Sequence, residues 1–156
     1  MIGFGYDSHR FAAGSFLVIG GVKIECEFAA IAHSDGDALT HSIIDAMLGA
    51  AALGDIGEHF PDSDPRYKGI DSTFLLKNVI NLINEINFEI VNIDATILLE
   101  TPKLLYFKSR IKKNLADICG ISENQINIKA KSNEKMGFIG RSEGIASYAV
   151  CELKRK

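Results

Sequence analysis

Residues Ser34–Leu53 read SDGDALTHSIIDAMLGAAAL. In this stretch Leu39, Ile43, Ala46, Met47 and Ala50 recur at helical spacing, Ser34-x-x-Asp37 resembles a capping box with Asp in place of Glu, and Gly54 ends the run. The pattern predicts a helix over about 36–53. Upstream the period is different: residues 2–9 form a Gly-spaced strand, and SFLVIG and GVKIEC (15–26) form two short strands about the Gly20-Gly21 turn. Downstream, GDIGEHFPDSDPRYKG (54–69) contains three Gly and two Pro, too punctuated for regular structure and long enough to suggest a functional loop. A second helix follows, capped by Asp71 or Ser72, carrying Phe74, Leu75, Val79, Leu82, Ile83 and Ile86, and ending near Asn87. FEIVNIDATILL (88–99) is β-branched and alternating. Thr101-Pro102 then fits an N-cap with Pro at the first position of a third helix ending at Gly120. QINIKAKS (125–132) and IASYAVCEL (145–153) read as strands on either side of the loop NEKMGFIGRSEG. The expected fold is α+β, a mixed β-sheet covered on one face by three helices, in one domain spanning 1–156.

At 156 residues and 47% hydrophobic, the chain has enough apolar surface for one core. Its longest weakly polar stretch, Ile43–Leu53, contains Asp45 and is far short of the ~20 residues of a membrane span. Neither a secretory nor a transit leader is legible, so the cytoplasm, or an organelle after processing, is expected. A net charge of −3 argues against a general nucleic-acid binder. Cys26, Cys119 and Cys151 lack C-x-x-C spacing and read as small core hydrophobes. Charge is unevenly divided. Residues 1–64 hold all four histidines and only two basic residues, Arg10 and Lys23, while residues 65–156 hold the other fifteen. Metal ligands and anion-binding groups contributed from opposite halves of a chain would give this distribution.

Asp7 and His9, two apart on a strand, leave the same face about 6–7 Å apart. Asp37, His41 and Asp45 recur every four residues on one helical stripe, and His41 joined to the strand pair would complete a three-ligand zinc site with an open position. A solvated helix face gives the same spacing. His33 and Ser34 fall beside the start of the helix, where a phosphate or a simple N-cap can be accommodated. Glu134 lies among Lys129, Lys131, Ser132 and Lys135, either a site residue or a solvated ion-pair partner. The strand end and turn at Leu99–Leu105 are a usual place for a ligand such as a nucleotide base. Lys103, Lys108, Arg110, Lys112 and Lys113 are most simply a solubilising face.

Taken together, GYDSHRF (5–11), IGGVKI (19–24), the run from Ala32 to Gly69, TPKL (101–104) and EKMGFIGRSEGIA (134–146) resemble the 2-C-methyl-D-erythritol 2,4-cyclodiphosphate synthase family of non-mevalonate isoprenoid biosynthesis along the whole chain. The resemblance implies a metal-assisted lyase that converts 4-diphosphocytidyl-2-C-methyl-D-erythritol 2-phosphate to the cyclic diphosphate and CMP. It implies Zn²⁺ on Asp7, His9 and His41, which Asp37 and Asp45 on the same helical stripe as His41 would support by position, and catalytic roles for His33 and Ser132, with Ser34 touching the migrating phosphate. It implies Mg²⁺ or Mn²⁺ on Glu134 when the diphosphate is bound. Asp55, Ile56 and Gly57 together with Phe60, Pro61, Asp62, Ser63 and Asp64 would hold the methylerythritol. Leu99, Glu100, Thr101, Pro102, Lys103, Leu104 and Leu105 would receive cytidine, aided by Lys131 and Asn133. The family also implies a homotrimer with sites between subunits. Around its axis Phe138 and Arg141 would line a cavity able to hold an isoprenoid diphosphate. Lys131-Ser132-Asn133 departs from the family's run of threonines but keeps one hydroxyl. A zinc phosphohydrolase and a metal-stabilised cytidine-nucleotide binding module are the alternative readings of these residues.

Overall fold

The computed structural model describes all residues, 1–156. Seven strands, five helices and two 3-10 turns alternate along the chain. They are β1 (Ile2–Ala13), β2 (Phe16–Ile19), β3 (Val22–Glu25), β4 (Phe28–Ile31), α1 (Ala38–Ala50), α2 (Ile56–His59), a 3-10 turn at Pro65–Tyr67, α3 (Ser72–Glu85), β5 (Phe88–Leu98), α4 (Lys108–Cys119), a second 3-10 turn at Glu123–Gln125, β6 (Ile126–Lys131), α5 (Gly137–Gly140) and β7 (Gly144–Arg155). Five strands form a sheet in the order β4-β1-β7-β5-β6. Only β5 and β6 run parallel, because α4 returns the chain between them. β2 and β3 form a separate hairpin whose two turn glycines both have positive φ, 59° and 71°, as a tight right-twisted hairpin requires.

Strand periodicity decides where the core lies. In β1, Gly3 and Gly5 are buried while Ile2, Phe4 and Tyr6 are exposed, and in β7 Ala149 and Cys151 alternate with exposed Tyr148 and Val150. The buried side carries α1 across β1 and β7 and α4 on β6, with α3 against both helices. A contiguous core of Ile, Leu, Val and Met fills the space between. The mixed sheet with three principal helices on one face therefore agrees with the sequence. None of the helices is long and apolar enough to cross a membrane.

Several boundaries differ from the expected ones. Helix α1 spans Ala38–Ala50 rather than 36–53, because its N-cap is Asp37, whose carboxylate accepts the Thr40 N–H; Ser34 is not part of a capping box. The third principal helix begins at Lys108, not at Pro102. Leu104 is buried in the core and its carbonyl accepts the Phe107 and Lys108 N–H groups, so residues 99–107 remain a loop anchored by that side chain. The punctuated segment after Gly54 contains one short helix and one 3-10 turn, and β4 pairs with the far half of a first strand that continues to Ala13.

Candidate metal and phosphate site

The alternate residues Gly3, Gly5, Asp7 and His9 share the helix-facing side of β1. A Cβ at Gly5 would lie 1.9 Å from the Ser42 carbonyl oxygen and one at Gly3 2.0 Å from that of Ala46, so the helix backbone rests directly on the strand. That close approach carries the preceding turn of α1, with His41, over Asp7. Ser42 and Ser147 seal the contact with a 2.9 Å hydrogen bond beneath it.

Three potential ligands meet there. One ligand atom from each of Asp7, His9 and His41 lies within 4.8 Å of the others. Asp7 Oδ2 is 3.0 Å from His41 Nδ1 and 2.9 Å from His9 Nε2. The first contact is a hydrogen bond; the second is outside hydrogen-bond geometry, leaving His9 Nε2 buried without a partner. An orphaned imidazole nitrogen converging on a carboxylate and a second imidazole suits a divalent cation with nitrogen and oxygen ligands, and these residues fit Zn²⁺. Burial pushes the Asp7 carboxyl up, but its close contacts and charge interactions with His41 and His9 outweigh this and hold it at about 2. Burial would lower His41; Asp7 beside it, reinforced by Asp37 and Asp35, raises it above the ordinary imidazole range.

The cluster opens into a cavity of about 340 Å³ whose wall also includes His33, Ser34, Ile56, Gly57, Phe60 and Asp62. Pro61 lines it too, while Asp55, Ser63 and Asp64 do not. Asp55 caps α2 by accepting the Glu58 N–H, and Asp64 pairs with Arg66 at 2.6 Å. His33 Nε2 is buried and unpartnered, available to an anion or acceptor in the cavity. The start of α1 is not a free phosphate cradle, because the Asp37 carboxylate already occupies it.

That carboxylate also corrects the expected supporting role of Asp37. It is fully buried and accepts the N–H groups of Gly20 and Gly21 at 2.9 and 2.7 Å together with both Thr40 donors, tying the β2–β3 hairpin to α1 rather than orienting His41. Burial pushes its carboxyl up against those four donors. Asp45 accepts the Ile56 N–H at 2.8 Å, fixing the loop that forms the cavity rather than a histidine.

The other predicted residues gather elsewhere. Leu99, Lys103, Leu104, Leu105, Lys131 and Ser132 line a second cavity of about 190 Å³. Leu99 N–H bonds to Lys131 O, and Glu100 accepts the Asn133 N–H, clamping the two loops together. Thr101-Pro102 lies in the first of these loops and is joined by a cis peptide bond. Glu134 follows at positive φ and accepts from the Ser132 hydroxyl at 3.1 Å. Phe138 and Arg141 are exposed on and just after α5, with Arg141 paired to Glu143 at 2.8 Å. The two cavities share no residue. Strand register aligns Asp7 with Ser147, Ser147 with Ile97 and Ile97 with Ala130, so three strand spacings, about 14 Å, separate the zinc-type ligands from the end of β6.

Sequence reasoning missed Asp35 and Ser72. Ser72 Oγ lies 2.8 Å from His41 Nε2 and also contacts the Asp35 carboxylate, which accepts the Ser72 N–H at 2.9 Å. The adjacent Asp71-Ser72 pair was legible as a helix cap, and Asp71 is that cap, leaving the Ser72 side chain free to face the site.

Fold and site together define a small α+β protein with a candidate histidine–carboxylate metal centre beside a cavity lined by His33 and Ser34. The chain belongs to the YgbB family, whose model matches residues 1–154. It is 51% identical over 152 residues, 97% of each chain, to a 2-C-methyl-D-erythritol 2,4-cyclodiphosphate synthase of Azotobacter vinelandii. Among solved structures, the bifunctional IspDF from Campylobacter jejuni matches with a TM-score of 0.95 and 44% identity, covering 99% of this chain and 42% of that one. IspF of Plasmodium falciparum in its CDP complex matches with a TM-score of 0.87 and 36% identity, covering 99% and 96%.

Proposed function

We propose that residues 1–156 form one catalytic domain that converts 4-diphosphocytidyl-2-C-methyl-D-erythritol 2-phosphate to 2-C-methyl-D-erythritol 2,4-cyclodiphosphate and CMP, in the isoprenoid pathway. The observation that carries this reading is the convergence of Asp7, His9 and His41, with an unpartnered His9 nitrogen, beside a cavity into which His33 offers a second unpartnered nitrogen. The cyclodiphosphate synthases to which the chain is related supply the substrate class.

Asp7, His9 and His41 would hold Zn²⁺, and Glu134 would hold Mg²⁺ or Mn²⁺ with the diphosphate. When bound, the two cations neutralise phosphate charge and polarise the β-phosphorus. His33 and Ser34 position the 2-phosphate, and Ile56, Gly57, Phe60, Pro61 and Asp62 enclose the methylerythritol. Lys131, Ser132 and the Leu99–Leu105 turn hold the nucleotide half. An oxygen of the 2-phosphate bonds to the β-phosphorus as the bond from that phosphorus to the bridging oxygen breaks, and CMP leaves with the bridging oxygen. The attacking phosphate is already ionised near neutral pH, so the step needs no general base; these residues act by positioning and by placing donors where charge develops.

Both cation sites must reach one diphosphate, yet they lie on opposite sides of the sheet's middle strands in one subunit. A homotrimer in which a neighbour supplies the nucleotide half resolves this separation. The exposed Phe4, Tyr6, Tyr148 and Val150 on the uncovered sheet face, with Tyr6 and Tyr148 rings 5.0 Å apart, provide apolar surface for such an assembly. Phe138 and Arg141 then face a shared cavity suited to an isoprenoid diphosphate. The experiment is a mixing test: an inactive His9→Ala variant combined with an inactive Ser132→Ala variant regains part of the activity through hybrid interfaces. No rescue despite demonstrated subunit exchange contradicts the shared site.

A further inference from the structure

We propose that Asp35 and Ser72 form a positioning pair that fixes the tautomer of His41 and thereby aims its Nδ1 lone pair at the metal. This inference rests on the metal-site reading given above. Ser72 is fully buried at the first position of α3, and its hydroxyl has a single proton. That proton goes to Asp35 Oδ1, a carboxylate oxygen that can only accept. The Ser72 oxygen therefore meets His41 Nε2, 2.8 Å away, with a lone pair, and Nε2 must carry the hydrogen. Ser34 Oγ stands 3.3 Å from the same nitrogen and itself accepts the Gly36 N–H.

The pairing matters because Asp7 pulls the other way. With its carboxylate 3.0 Å from Nδ1, a neutral His41 left to Asp7 alone would keep its hydrogen on Nδ1, the nitrogen that faces Asp7 and His9. A protonated Nδ1 cannot ligate a cation. Ser72 removes this competition by requiring the hydrogen on Nε2, so deprotonation for metal binding empties Nδ1. Asp35 is itself held in place: its Oδ2 accepts the Ser72 N–H at 2.9 Å, its Oδ1 accepts the Asp37 N–H at 3.2 Å, and its own N–H donates to Ile70 O. The device thus joins the loop before α1 to the start of α3, and its output is one imidazole orientation, the role that outer partners of ligating histidines commonly serve.

Two variants and one spectrum test the pair. Ser72→Ala removes the hydroxyl at nearly constant volume. Asp35→Asn is the sharper change: the amide offers one acceptor oxygen where the carboxylate offers two, so the Ser72 hydroxyl, the Ser72 N–H and the Asp37 N–H can no longer all be satisfied and the hold on the Ser72 proton is weakened. Both variants are expected to weaken zinc binding about 10- to 100-fold in competition with a fluorescent chelator. Long-range ¹H–¹⁵N spectra of histidine-labelled, zinc-loaded wild type are expected to show His41 protonated at Nε2 and metal-bound through Nδ1. A His41→Ala variant that retains stoichiometric zinc overturns the metal-site reading itself. If His41→Ala loses zinc while Ser72→Ala and Asp35→Asn bind it within twofold of wild type, the positioning role alone is overturned. Should either variant fail to fold, the wild-type spectrum still decides, because His41 bound through Nε2 contradicts the proposal directly.

Discussion

Replacing Gly5 by alanine should damage fold and metal site together. The added Cβ would stand 1.9 Å from the Ser42 carbonyl oxygen and 2.7 Å from the Ala46 nitrogen, both helix backbone atoms that cannot turn aside. To reach even a tight 3.0 Å contact, α1 must withdraw from β1 by about 1 Å, which strains the packing of a helix whose apolar face is wholly buried. Such overpacking costs about 1–3 kcal/mol, and a backbone obstruction belongs at the upper end. The lost freedom of the unfolded chain offsets only about 0.4–1 kcal/mol. A net loss of about 2 kcal/mol in a domain of this size lowers the melting temperature by roughly 4–8 °C. The same 1 Å separates Asp7 and His9 on the strand from His41 on the helix, beyond the ~0.5 Å within which a site must be held, so zinc affinity falls as well. Gly49→Ala is the matched control. It lies on the same helix, its new Cβ would find nothing nearer than 3.9 Å, and removing a helical glycine should stabilise by about 0.5–1 kcal/mol. Thermal unfolding with zinc titration of both variants is the assay. Wild-type stability and zinc affinity in Gly5→Ala would refute the reasoning, as would equal destabilisation by Gly49→Ala.

Asp37→Ala should cost about 3–5 kcal/mol, since it strips a helix cap and leaves the buried Gly20 donor unsatisfied, and urea unfolding will measure it. Burial pushes the Cys119 and Cys151 thiols up to about 12, so native protein treated with iodoacetamide at pH 8 should carry at most one adduct, on half-buried Cys26, by mass spectrometry. Burial raises Asp94, but Lys129 and Asn127 outweigh it and lower its carboxyl below the ordinary value. The pair therefore stabilises the fold above that value and the contribution disappears as pH falls through the lowered one; Asp94→Asn should flatten the acid limb of the stability curve by under about 1 kcal/mol at this half-exposed site. Tyr148→Glu on the uncovered sheet face should split the proposed three-chain particle into single chains in light scattering, with the subunit still folded.

Helix α1 and the alternation of β1 were legible because burial imposes a period: Leu39, Ile43 and Met47 face the core, and Asp7 and His9 share the face of Gly3 and Gly5. That same alternation put Asp7 and His9 on one face, while the approach of His41 depended on how near the helix could come, which the glycines decide. What the pattern could not convey is competition between partners. Asp37 and His41 share a four-residue spacing, yet Asp37 is drawn to the hairpin amides of Gly20 and Gly21, seventeen and sixteen residues away in sequence. Thr101-Pro102 has the local chemistry of a helix start, but Leu104 is claimed by the core and delays the helix to Lys108. Ser72 looked like a cap and was overlooked as a histidine partner because Asp35, which orients it, lies 37 residues earlier. Of the proposed nucleotide half, only the strand end and turn at Leu99–Leu105 was legible from the residues themselves; no periodicity links Glu100 to Asn133.

The most direct test of the account is phosphorus NMR of the products formed from the diphosphocytidyl methylerythritol 2-phosphate with zinc-loaded protein and Mg²⁺ in ¹⁸O-labelled water. CMP and a cyclic diphosphate are expected in equal amounts, neither carrying solvent oxygen. Linear phosphate products bearing ¹⁸O would instead identify a hydrolase using the same metal ligands, and unchanged substrate would leave a binding module.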